Sequence, residues 1–114
     1  MKKETLQKRT KIANDIMYYI YTHIETNIDI EDLSIDLGIS KFHMHRIFKE
    51  AFGKNIYESI KSIRLQKASN LLLTNKYSTI SNIVNLCGYS SQSSFIKIFK
   101  DRFEMTPKEW KNGG

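Results

Sequence analysis

Two stretches of the sequence carry hydrogen-bonding and cationic side chains at helical spacing. Phe42, His45, Arg46 and Lys49 occupy positions i, i+3, i+4 and i+7, and Ser93, Ile96, Lys97 and Lys100 repeat that spacing fifty-one residues later. Residues three and four apart share one face of a helix. Such a face offers many donors and no paired nucleophile and base, so its chemistry is non-covalent recognition of a polyanion. Arg46 can present a two-pronged donor pair to guanine and Gln92 a matching pair to adenine, while Phe42 and Ile96 can pack on thymine methyls. Lys41 and Gln92 stand beside these faces, near the N-terminal ends of their helices. The competing reading is an ordinary solvated face. Against it, both stretches leave a bulky apolar residue, Phe42 or Ile96, outside the inward stripe, and both place a cation, Arg46 or Lys97, at the same step.

Other chemistries find little support. His43 and His45 are two residues apart and point to nearly opposite sides of a helix, and Cys87 fills an apolar slot, so no metal site is expected. A thiol enzyme would need an exposed cysteine beside a base, and no phosphate loop or paired-carboxylate site is visible. Neither an enzyme nor a cofactor is expected.

These faces need helices to carry them. Apolar residues recur at helical spacing and glycine is scarce, which predicts an all-α chain of about seven helices with no sheet. Residues 1–9 read as a basic, flexible start. The series Ile12, Ala13, Ile16, Met17, Ile20 and Ile24 then marks the inner face of a first helix. Asp29, with Asp32 three residues on, opens a short helix through Leu37 that Gly38 ends; Ser40 caps the next, with Met44, Ile47, Phe48 and Phe52 inward and Gly53 at its end. Asn55 and Glu58 start a longer connecting helix that fades at residues 75–77. Ser78 is the expected cap of a helix with Ile80, Ile83, Val84 and Cys87, and Ser90 or Ser91 opens another with Phe95, Ile98, Phe99 and Phe103. Thr106, Pro107 and Glu109 cap a terminal helix holding Trp110.

The strongest signal is an internal repeat. At an offset of fifty Leu33 meets Ile83, Leu37 meets Cys87 and Gly38 meets Gly88; at fifty-one Ser40 meets Ser91, Met44 meets Phe95, and residues 46–52 meet 97–103. These are the positions that clamp two helices across a tight turn, so the chain is expected to hold two helix-turn-helix units. The boundaries read as 10–54 for the first, 55–76 for the connecting helix, 77–111 for the second and 112–114 for a tail. The net charge of +6 on 114 residues favours a polyanionic partner. Lys41, Lys49, Lys54, Lys100 and Arg102, with helix-start residues Ser40, Ser78 and Ser91, are candidate phosphate contacts. With one cysteine, no apolar run near the roughly 18 residues of a membrane span and no signal-like segment, a cytoplasmic protein is expected.

The run from Gly88 through Ser91, Gln92, Ser93, Ser94 and Phe95 to Phe99 and Lys100, closing on Thr106 and Pro107, resembles the signature of the AraC/XylS family of bacterial transcription regulators. Arg64, Ala68, Leu71 and Leu72 fit that family's connecting helix. The resemblance covers roughly residues 10–111 and is greatest to the short members that consist of the DNA-binding domain alone. It implies a DNA-binding regulator, an activator, that uses a rigid linking helix to present both reading helices to successive major grooves of promoter DNA as a monomer, with RNA polymerase as a second partner. It also implies base contacts from Phe42, His45, Arg46, Gln92, Ser93, Ser94, Ile96 and Lys97. The chain departs from the pattern at Glu104, where glycine is common, at Ser34 in place of alanine, and in having His45 and Ile96 at reading positions. The rival reading keeps the fold as a protein-interaction module that grips RNA polymerase or another regulator with only nonspecific DNA affinity.

Overall fold

The computed structural model describes residues 3–75 and 78–113, with the backbone alone at residue 4. It is all-helical: α1 (Lys3–Thr22), α2 (Ile30–Leu37), α3 (Lys41–Phe52), α4 (Ile56–Thr74), α5 (Ile80–Leu86), α6 (Gln92–Phe103) and α7 (Pro107–Lys111). The expected domain boundary at residues 76 and 77 lies outside the described residues.

Two compact units divide the chain. The first comprises the segment up to His23 and Asn27–Lys61, the second Ile24–Thr26 with Ser62 and everything after it. In the first, α1 and α2 pack on α3. Ala13, Ile16 and Ile20 from α1, Ile30 and Leu33 from α2, and Met44, Ile47 and Phe48 from α3 are buried, with Ile56 and Ile60 from the start of α4. Each set recurs every three or four residues, so one stripe of each helix faces the core. Contrary to the expected flexible start, residues 3–9 are already helical, because α1 runs on to carry Arg9 against Glu50 of α3, where the two form an ion pair.

The core of the second unit gathers Leu65, Ala68 and Leu72 from α4, Ile83, Val84 and Cys87 from and just after α5, and Phe95 and Phe99 from α6. Phe95, Phe99, Phe103 and Trp110 form a chain of rings with successive centroids 5.6, 4.5 and 5.0 Å apart, and the Trp110 Nε1–H donates to the Ser69 carbonyl at 3.0 Å. The segment Ile24–Thr26, expected within the first unit, is fastened here instead. Arg64 donates to the carbonyls of Ile24 and Thr26, at 3.3 and 2.8 Å, and Lys67 pairs with Glu25 at 2.8 Å.

The repeat survives as geometry. Gly38 and Gly88 both sit in the left-handed region, at φ 68° and 79°, each with its N–H turned back to the carbonyl three residues earlier. Glu104 answers Gly53 at the offset of fifty-one: both end their helices left-handed, with φ 60° and 75°, and both donate to a lysine carbonyl at 2.8 Å. The turn before α7 is therefore built as the turn before α4 is, with a glutamate in glycine's place.

The cap of α5 is Thr79, whose hydroxyl accepts from the Asn82 N–H at 3.1 Å; Ser78 stands one residue outside and its carbonyl accepts from Lys111. Thr79 is also the residue that the offset of fifty aligns with Asp29, the cap of α2. Phe52, expected inward, is 37 % exposed although its ring lies 4.8 Å from that of Phe48. Its counterpart Phe103 is covered by Trp110, and the position matched to Trp110 in the first unit is Ser59, which has no ring to offer.

Candidate nucleic-acid interface

Each reading helix is set by a serine cap and an aromatic core face. The Ser40 hydroxyl accepts from the His43 N–H at 3.0 Å and opens α3; the Ser91 hydroxyl accepts from the Ser94 N–H at 3.2 Å and opens α6. Burial of Met44, Ile47 and Phe48 fixes the rotation of α3 about its axis, and burial of Phe95 and Phe99 fixes that of α6. What remains outward is the candidate interface. On α3 it includes Lys41, Phe42, His43, Arg46 and Lys49, with Glu50 beside them; on α6 it includes Gln92, Ser93, Ser94, Lys97, Lys100 and Arg102, with Asp101 between the last two. Phe42 is 84 % exposed, a costly place for a phenyl ring in water and one suited to an apolar contact with a partner.

Ile96 does not match Phe42 in this respect. It is half-buried and packs against the core of the second unit, so the expected pair of outward apolar residues is reduced to Phe42 alone. An isoleucine shorter than a phenylalanine and flanked by Phe95 and Phe99 gains more from the apolar wall beneath it than from water. Its counterpart His45 is also half-buried, and its ring lies 5.6 Å from that of Tyr57, in the first turn of α4. Burial, and secondarily the charge of Lys41, holds the His45 imidazole below its usual pKa. At neutral pH it therefore offers one donor and one acceptor, where a charged ring would offer two donors.

The cations differ in how free they are. Arg46, Lys49, Lys54, Lys97, Lys100 and Arg102 form no ion pair among the described residues, whereas Lys41 lies 3.4 Å from Glu31. The one carboxylate of α3, Glu50 in its last turn, is paired with Arg9, so the charge of this helix is more positive than its sequence suggests. The helix starts are also unequal as anion sites. The first amides of α2 are taken by Asp29, beside Glu31 and Asp32, and Ser78 is not a cap at all. Nothing local in the sequence links Arg9 to Glu50, and nothing in the connecting-helix pattern singles out Tyr57.

Among the described residues no group of three histidine, cysteine, aspartate or glutamate side chains could hold a metal ion, and no helix is long and apolar enough to cross a membrane. Burial pushes the Cys87 thiol up to about 11, leaving it protonated and unreactive at neutral pH.

Comparison with known proteins bears on the fold and the family. Residues 33–113 match the model of a helix-turn-helix domain. The probable transcription factor PqrA of Proteus vulgaris is 34 % identical over 105 residues, which cover 90 % of this chain and 85 % of PqrA. The xylose operon regulatory protein of Escherichia coli K12 is 34 % identical over 96 residues; these cover 84 % of this chain but only 24 % of that protein, so the chain spans about a quarter of the length of such relatives. Among solved structures, the DNA-binding domain of the global transcriptional factor AdpA, in complex with a target DNA, superposes with a TM-score of 0.79 over 90 % of its own length and 89 % of this chain; at 20 % identity it shares the fold. A duplicated helix-turn-helix on an all-helical frame, matched over most of its length by PqrA, places the chain: it belongs to the AraC/XylS family of helix-turn-helix transcription regulators.

Proposed function

We propose that this chain binds double-stranded promoter DNA at a defined sequence, as a monomer, with α3 and α6 each entering the major groove of one of two adjacent segments. The observation that carries this reading is the two matched pairs of outward cations, Arg46 with Lys97 and Lys49 with Lys100, which form no ion pair among the described residues, on two helices built to the same plan. Arg46, Phe42 and His45 read bases from α3; Gln92, Ser93, Ser94 and Lys97 read them from α6, with Ile96 contributing through its exposed part. Lys41, Lys49, Lys54, Lys100 and Arg102, with the amides behind Ser40 and Ser91, hold phosphates. Two reading helices served by one duplex face should engage segments about one helical turn, ~34 Å, apart. Activation then follows from holding RNA polymerase beside the promoter, at the nucleoid inside the cell.

Selection of bound sequences from a random DNA pool at near-physiological salt tests the reading. Two short enriched blocks about one turn apart are expected, with affinity for the winner falling steeply as salt rises. Arg46→Ala combined with Lys97→Ala should abolish the preference for the winner over a scrambled duplex while leaving helical content and melting intact. If the double variant keeps its preference, those residues do not read; if the wild-type chain enriches no sequence, the DNA reading fails.

A further inference from the structure

The offset of fifty-one extends past the reading helices. Asn55 and Thr106 cap the helices that follow, Ile56 and Pro107 are both buried beneath them, and Glu58 and Glu109 both bond back to their caps. Between these matched residues stand Tyr57 and Lys108, both exposed. The same architectural position, one turn past each reading helix, therefore carries an aromatic ring in the first unit and a cation in the second.

In the first unit that ring has a partner. Tyr57 is 58 % exposed, yet it lies 5.6 Å centroid to centroid from His45, with the ring planes 33° apart. His45 makes no hydrogen bond among the described residues, so no donor or acceptor holds its imidazole; the ring of Tyr57 is the one aromatic surface against it. The entry of α4 fixes where that surface stands. Gly53 turns the chain left-handed, and the Asn55 side chain accepts from the Glu58 N–H and donates to the Glu58 carboxylate, both at 2.8 Å. The His45 nitrogens thus have no protein partner among the described residues, and one side of the ring packs on Tyr57.

We infer that Tyr57 is a specificity-determining residue that acts through His45, its ring serving as a shelf that fixes the imidazole edge toward the base His45 reads. The inference rests on the proposed reading of DNA by α3. The ring, not the hydroxyl, does the positioning, because the two rings pack against each other at a tilt of 33° and no hydrogen bond joins the two side chains among the described residues. In the second unit no such shelf is needed: Ile96, the counterpart of His45, has no hydrogen-bonding edge to aim, and Lys108 replaces the tyrosine.

The test compares full-length chains carrying Tyr57→Ala, Tyr57→Phe, His45→Ala and the double change Tyr57→Ala with His45→Ala. Affinity is measured for the selected duplex, for its single-base variants across the block read by α3, and for a scrambled duplex. Tyr57→Ala is expected to flatten the preference at one base position about tenfold, with affinity for the scrambled duplex unchanged. Tyr57→Phe should restore the preference, and the double variant should be no worse than His45→Ala. The inference is overturned if Tyr57→Ala leaves every base preference intact, if it weakens selected and scrambled duplexes equally, as a phosphate contact would, or if Tyr57→Phe behaves as the alanine does. A wild-type chain with no preferred sequence would remove the proposed function and this inference together, whereas a wild-type preference untouched by Tyr57→Ala removes the inference alone.

Discussion

Glu104 shows what a single side chain costs when the fold dictates its backbone. Its φ of 60° places a Cβ in the left-handed region, which costs roughly 1–2 kcal/mol for an L residue; glycine escapes that cost but loses more chain entropy on folding. The balance favours Glu104→Gly by about 0.5–1 kcal/mol, seen as a higher midpoint in denaturant with an unchanged slope. His45 sets a pH dependence of the same sign as that of a carboxylate held below its ordinary pKa. Because burial and then Lys41 lower its folded pKa, the unfolded chain takes up a proton first as pH falls. Stability should therefore drop as pH passes below the ordinary imidazole value of about 6.5, levelling off below the folded value, and His45→Gln should remove that step.

Caps and turns separate elements that look alike in sequence. Thr79→Ala should cost about 1 kcal/mol, since it frees the Asn82 N–H at the start of α5, while Ser78→Ala should cost little, because the engaged groups of Ser78 are its backbone N–H and carbonyl, which alanine keeps. The two turn glycines differ as well. A Cβ on Gly38 meets nothing within 4 Å, so Gly38→Ala pays only for its left-handed backbone; a Cβ on Gly88 would stand 2.3 Å from the Ile24 carbonyl and 2.9 Å from Arg64 Nε. Gly88→Ala should accordingly cost well over the roughly 1–2 kcal/mol of Gly38→Ala, and thermal melting of the two variants side by side measures the difference.

At the scale of the whole chain there are two cores, each with a phenylalanine from the reading helix at its centre. Phe48 and Phe99 are fully buried, and replacing either by alanine should cost about 3–5 kcal/mol through lost burial and the cavity left behind. Either loss is a large part of the stability of a small domain, so both variants should melt far below the parent. A chain indifferent to both would mean that the repeat does not mark the cores.

How much was legible before the structure follows from what each feature depends on. Helical periodicity, serine caps and the fifty- and fifty-one-residue offsets are local or self-referential, so the seven helices, the two units and the outward set Arg46, Lys49, Lys97 and Lys100 could be read from residue types alone. The cap at Thr79 was legible too, through the offset from Asp29, although Ser78 looks as good in isolation. The withdrawal of Ile96, the exposure of Phe52, the pairing of Arg9 with Glu50 and the reach of Arg64 over Gly88 to Ile24 were not. The contacts of Arg9 and Arg64 join residues 41 and 40 apart, and the states of Ile96 and Phe52 depend on what else packs against them; a one-dimensional pattern carries no information on either. Sequence determined the faces; tertiary packing decided which of their residues remain free to meet a partner.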